Sequence, residues 1–248
     1  MTSTKKGSGC SREGRSYELQ IHSIVSKCTL NGTVFNTQKE EDLAGCSAEN
    51  DIECNFRGEK DIPIEIKKAN TPDWMQLSLK FDTETGRWIG SSKNKIPDSS
   101  KHMFEELISS VTLFGGKIPP FMFRDMTYEE WTSIKTSGDF DDMYIDCPSD
   151  MIQRLYGAKG CYYIQVSGKG LYHLGQDICG FGVPEFTCEQ QLRVRTKIHT
   201  TCVKNGKRKG FCSMSVTIAC QPKQIKNITK SPYSLDEVVR LPTNLVYS

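Results

Sequence analysis

The chain has 248 residues, 37% of them hydrophobic and 25% charged, with a net charge of +2, enough apolar material for a sizeable core and the balance of a globular protein. No run approaches the roughly 18 consecutive apolar residues of a membrane span, and Met1-Thr2-Ser3-Thr4-Lys5-Lys6-Gly7 lacks the apolar block of a secretory signal, so the expectation is an intracellular, cytoplasmic protein with one domain over residues 1–248. The eleven cysteines are odd in number and contain no Cys-x-x-Cys; Cys188, Cys202, Cys212 and Cys220 are too widely set for a zinc knuckle, so reduced thiols, several of them buried, are expected.

Residues 1–13 are polar and rich in Gly, Ser and Lys, which predicts a mobile start. From Gly14 to Val25 the pattern is that of an amphipathic helix, with Leu19, Ile21, His22, Ile24 and Val25 near one side. Asn31 to Gly45 is expected as a loop or short helix. Asp51-Ile52-Glu53-Cys54-Asn55-Phe56 then alternates polar with apolar, Arg57-Gly58-Glu59-Lys60 forms a turn, and Ile62 to Lys67 alternates again, which predicts a β-hairpin.

Further strands are expected near Met75–Phe81 and Arg87–Ser91, across the turn Glu84-Thr85-Gly86. A helix over Lys101–Val111 is expected to be capped by Ser99 or Ser100, and Thr127-Tyr128-Glu129-Glu130 is a capping box opening a helix from Tyr128 to about Lys135. Pro148 suits the first position of another helix that Gly157 ends. Cys161–Val166 and Leu171–Leu174, joined by Ser167-Gly168-Lys169-Gly170, predict a hairpin, and Leu192–Ile198 and Phe211–Cys220 a basic strand pair. The Gly-x-Gly at 168–170 precedes no helix, which argues against a dinucleotide fold. The scattered His22, His102, His173 and His199 give no ligand spacing, and no Gly-x-Ser-x-Gly is present.

The hairpin at 51–67 carries the chemistry. Side chains two apart on a strand share a face, so Glu65 and Lys67 stand side by side roughly 7 Å apart, opposite Ile64 and Ile66. Asp51 opens the first strand, where an antiparallel return brings its carboxylate toward Glu65. Two carboxylates and an ammonium suit hydrolysis of a phosphodiester, which needs charge neutralisation and an aimed water. On spacing alone, an exposed hairpin with a solvated face of ion pairs accounts for the same residues.

Asp51-x13-Glu65-x-Lys67 on a hairpin resembles the PD-(D/E)xK nuclease superfamily, whose motif is an Asp opening one strand and (Asp/Glu)-x-Lys on the next; Asn50 stands where the family name has Pro. Glu18 lies on the first helix, where members carry a supporting Glu. Gln76 falls where many relatives place a Gln after the catalytic strand, although it also reads as a polar position on a buried segment. Within the superfamily the chain is similar to small type II restriction endonucleases that cut four-base-pair palindromes, from bacteria and from large DNA viruses of algae. Leu113–Phe121, Met126–Trp131 and the basic strands at Leu192–Cys220 carry this similarity.

The resemblance implies an α+β protein with an α/β core, a mixed β-sheet flanked by helices and an appended basic hairpin. Residues 14–112 would form the catalytic core and 113–248 the elements for DNA recognition. Asp51 and Glu65 would bind Mg²⁺, or Mn²⁺ in its place, with Lys67 orienting or activating the attacking water and Glu18 assisting. Cleavage of double-stranded DNA would leave 5′-phosphates. A palindromic target suits a homodimer, or a monomer nicking each strand in turn, and implies a cognate DNA methyltransferase as a genetic partner.

Charge distribution supports a polyanionic partner. Between Gln191 and Lys230 lie ten Lys and Arg and no Asp or Glu, so this segment is +10 and, against the overall +2, everything else sums to −8. Alternation places Arg193, Arg195 and Lys197 on one face of a strand, with Lys204, Lys207, Arg208 and Lys209 in the following loop. Such residues suit phosphate contacts and guanine edges, although Lys207-Arg208-Lys209 alone could be a solvated basic tract. Two other functions fit the same residues: a structure-specific repair or recombination nuclease, and a non-catalytic DNA-binding module.

Overall fold

A computed structural model describes residues 3–34, 36–37, 51–56, 60–71, 73–199, 203–204, 207–208 and 210–248. The main elements in chain order are α1 (Ser3–Val25), β1 (Ile52–Phe56), β2 (Lys60–Lys67), β3 (Trp74–Asp82), β4 (Arg87–Gly90), α2 (Asp98–Ser109), α3 (Tyr128–Lys135), β5 (Met143–Asp146), α4 (Met151–Gly157), β6 (Tyr163–Val166), β7 (Gly170–His173), β8 (Gln190–Ile198) and β9 (Met214–Pro222). The protein is mixed α+β, with several sheets and four α-helices among the described residues. None of the described helices is long and apolar enough to cross a membrane.

The chain packs as two compact units interleaved in sequence. The first comprises Met1–Trp74, Ser149–Glu189 and Pro222–Ser248, and the second Met75–Pro148 and Gln190–Gln221. In the first, β2 is the middle of a five-stranded sheet, with β1 antiparallel on one side and β6 parallel on the other. Ile62, Ile64 and Ile66 drive one face of β2 into the core, where they meet Tyr17, Ile21 and Val25 of α1. Those three α1 positions recur every four residues, the spacing of a helix stripe. Tyr17 also donates a hydrogen bond to Asp236 (2.5 Å), and Gln165 of β6 accepts from Leu235 N (2.9 Å), which fastens helix and C-terminal segment to the sheet.

The second unit is built on the sheet order β4-β3-β9-β8-β5. Gln190, Leu192 and Val194 alternate into its core, leaving the intervening basic side chains half-buried. Edge-to-face aromatics extend that core: Trp88 meets Phe114 at 6.3 Å, Phe114 meets Phe140 at 5.6 Å and Phe121 meets Trp131 at 4.8 Å.

Several local expectations are met. Thr127 and Glu130 close a reciprocal capping box at the start of α3. The strands about Glu84–Gly86 and about Ser167–Lys169 pair as hairpins. The structure corrects others. Helix α1 begins at Ser3, ahead of Gly14. Asn31-Gly32, read with the loop, makes a two-residue hairpin turn between Leu30 and Thr33, because both residues accept positive φ (49° and 80°). The rest of the expected 31–45 loop beyond 37 lies outside the described residues, as do Arg57–Glu59.

Helix α2 starts at Asp98 after Pro97, so Ser99 and Ser100 fall inside it and Ser100 is buried. Helix α4 starts at Met151 after Asp150, three residues past Pro148, and ends at Gly157 as expected. The strand expected over Phe211–Cys220 is broken at Ser213: Phe211–Cys212 pairs with Met126–Thr127, and β9 then runs beside β8.

Candidate active site

The register of the first sheet assembles the candidate site. Ile52 pairs with Ile64, so Asp51, one step earlier, stands across from Glu65. Asp51 Oδ2 accepts hydrogen bonds from Ile66 N (2.8 Å) and from Lys67 Nζ (3.3 Å), and Lys67 Nζ also donates to Glu65 Oε1. Asp51 and Glu65 are 8% and 4% exposed, so the polar face of this hairpin is not a solvated one.

The parallel partner β6 brings in what sequence spacing did not show. Helix α4 packs its last turn under the site and ends in a tight turn, where Lys159 N and Cys161 N both donate to Tyr156 O (2.9 and 3.0 Å) and Gly160 takes a positive φ of 72°. That turn directs Lys159 Nζ to 3.3 Å from Glu65 Oε2, with only 3% of its side chain exposed. The Tyr156 ring lies beneath both ammoniums, 5.7 Å from Lys67 Nζ and 5.5 Å from Lys159 Nζ, favourable cation–π distances. Its buried hydroxyl has no hydrogen-bond partner among the described residues. A lysine 94 residues from Glu65 leaves no local signal; the one hint was its place between Gly157 and Gly160, just past an expected helix end.

Burial pushes the Asp51 carboxyl up to about 7, and the Glu65 charge adds to this, while Lys67 and the Ile66 N–H pull the other way. Burial acts upward on Glu65 as well, but Lys67 and Lys159 outweigh it and hold that carboxyl below its ordinary value. For Lys67, burial alone favours the neutral amine; Asp51 and Glu65 reverse this and hold it well above its ordinary value. The two acids therefore differ: Glu65 is the persistent anion and Asp51 the one that keeps a proton toward neutrality.

Glu18 faces this cluster from α1. Burial raises its carboxyl, Lys67 and Arg15 draw it down, and Glu65 adds to the rise. Among the described residues no group of three or more His, Cys, Asp or Glu converges as a metal cage, so the oxygen donors presented together here are those of Asp51 and Glu65.

The remaining site expectations fall in the second unit. Gln76 on β3 accepts a long hydrogen bond from Arg195 Nη2 (3.4 Å). Arg193 donates through Nε (3.0 Å) and Nη2 (2.5 Å) to Asp142 Oδ2, which commits it to an ion pair within the unit. Arg195 and Lys197 share the half-buried face with it. Lys204 and Arg208 lie on the short antiparallel strands Val203–Lys204 and Lys207–Arg208, and Lys207 is exposed. Lys209 lies outside the described residues.

No protein-family model and no curated protein matches the chain. Among solved structures, the chain is similar to HhaI endonuclease in complex with DNA, at 12% identity and a TM-score of 0.44, with 88% of this chain and 92% of that chain covered.

Proposed function

We propose that this chain is a type II restriction endonuclease, a metal-dependent hydrolase that cuts both strands of DNA at a short palindrome of four base pairs and leaves 5′-phosphates. The observation that carries this reading is the bridge from Asp51 through Lys67 to Glu65, two buried carboxylates held around one ammonium. Their hard, anionic oxygens fit Mg²⁺ or Mn²⁺, which prefer carboxylate ligands and keep bound waters. Held by Asp51 and Glu65, such an ion would neutralise phosphate charge and favour ionisation of a water.

Lys67 has the complementary role. Asp51 and Glu65 hold its ammonium well above the ordinary lysine value against burial, so it would act as a donor and a positive charge that orients or activates the attacking water. Three N–H groups are available on an ammonium. Two are committed to Asp51 and Glu65, and the third can hold the attacking water or a non-bridging phosphate oxygen as charge develops. Glu18 adds negative charge on the α1 side of the cluster. Arg195, Lys197, Lys204, Lys207, Arg208 and Lys209 would grip the duplex, with Arg195 and Gln76 near base edges. Arg193, paired with Asp142, would join them at the duplex. A twofold dimer matches a palindrome, and a cognate methyltransferase would protect the host DNA.

Bacteriophage DNA digested with Mg²⁺, resolved on a gel and sequenced at its ends, tests the proposal. Discrete fragments with a shared palindrome and 5′-phosphates are expected. Nicks confined to junctions or flaps would favour a repair nuclease, and a gel shift with no Mg²⁺-dependent product would leave only a DNA-binding module.

A further inference from the structure

Both oxygens of Glu65 are taken by amines: Lys67 Nζ at Oε1 and Lys159 Nζ 3.3 Å from Oε2. With Asp51, the cluster holds two carboxylates and two ammoniums. Burying a second lysine costs several kcal/mol unless it is compensated, and here Glu65 and the face of Tyr156 compensate it. A divalent ion that uses Glu65 must take an oxygen that one of the amines holds. Releasing Lys67 breaks its bonds to both carboxylates, whereas releasing Lys159 from Oε2 leaves the Asp51–Lys67–Glu65 bridge whole.

Building on the nuclease reading of this site, we propose that Lys159 is a positioning residue that acts through Glu65: its ammonium holds Oε2 until a divalent ion takes that oxygen, then remains beside the site as a second cation for the scissile phosphate. The exchange is electrostatic, because a nearby positive charge repels a dication and competes with it for the same oxygen. Lys159 thereby weakens metal binding in exchange for a carboxylate already aimed before the ion arrives.

The test compares wild type with Lys159→Met and Lys159→Arg, without DNA, at about pH 8, above the value of about 7 to which burial pushes Asp51. Free Mn²⁺ is followed by electron paramagnetic resonance, and thermal denaturation is recorded with and without Mg²⁺. The Met variant should bind Mn²⁺ about tenfold more tightly and gain more melting temperature from Mg²⁺ than wild type, while the Arg variant behaves like wild type. A Met variant that binds Mn²⁺ no more tightly than wild type, or an Arg variant that shifts as Met does, overturns the proposal. Should the Met variant not fold, Lys159→Gln is judged by the same criteria. No readout involves DNA, so a chain that met these expectations yet left DNA intact would retire the nuclease reading while keeping the Lys159–ion exchange.

Discussion

Replacing Lys67 by Met removes the ammonium that bridges both carboxylates, and the structure sets the size of the effect. Breaking a buried ion pair from one side costs about 3 to 5 kcal/mol, because the remaining charge is stranded. Here Glu65 would keep Lys159, and Asp51 would keep the Ile66 N–H. Asp51, already pushed up to about 7, would answer by holding its proton more firmly. The loss should therefore sit at the low end, about 3 kcal/mol, or roughly 6–12 °C of melting temperature for a chain of this length. Catalysis should suffer far more: without the donor aimed at the developing charge, single-turnover cleavage should fall about 10³-fold. Affinity for the same duplex, measured with Ca²⁺ in place of Mg²⁺, should hold within a few-fold of wild type. A variant that cleaves within about tenfold of wild type, or that loses DNA binding along with cleavage, would refute the role given to Lys67.

Other outcomes follow from the same geometry. Asp51 keeps its proton in the folded state up to about 7 but releases it near 3.8 once unfolded, so its contribution to stability is full below the lower value and is lost as pH rises through the upper one. In metal-free protein, the melting temperature of wild type relative to Asp51→Asn should therefore decline across that window, and a difference that does not change with pH would contradict the shift. Gly170 has a φ of +118°, and a Cβ there would lie 2.3 Å from Tyr233 O, so Gly170→Ala should cost roughly 2 to 4 kcal/mol. Gly168→Ala, with open space around it, should cost about 1 kcal/mol; equal losses in chemical denaturation would dismiss the close approach. Arg195→Ala and Lys197→Ala should each lower the salt slope of DNA binding by about 1. Arg193→Ala should lower it less, because Asp142 already holds Arg193, and fluorescence anisotropy across a salt series distinguishes the three.

What the sequence disclosed was local. Alternation from Asp51 to Lys67 set which residues share a face, and once Ile62, Ile64 and Ile66 are buried the opposite face must carry Glu65 and Lys67. The Thr127–Glu130 capping box was legible for the same reason, since its partners are three residues apart. The parallel pairing of β2 with β6 leaves no such trace. It brings together strands nearly a hundred residues apart, and with them Lys159 and Tyr156. Arg193 illustrates the other limit: the period-two pattern placed it on the polar face of β8, but its engagement by Asp142 depends on β5 becoming the neighbour of β8. Helix starts shifted where the first turn relied on something other than a side-chain cap, as at Pro97–Asp98 ahead of Ser99 and Ser100.

The proposed function requires that Asp51 and Glu65 together capture a divalent ion. Crystals of the protein soaked in Mn²⁺ and measured at the manganese absorption edge test it most directly. An anomalous peak is expected within coordinating distance of both carboxylates, absent from an Asp51→Asn, Glu65→Gln double variant. A peak elsewhere, or one that survives the double substitution, would contradict it.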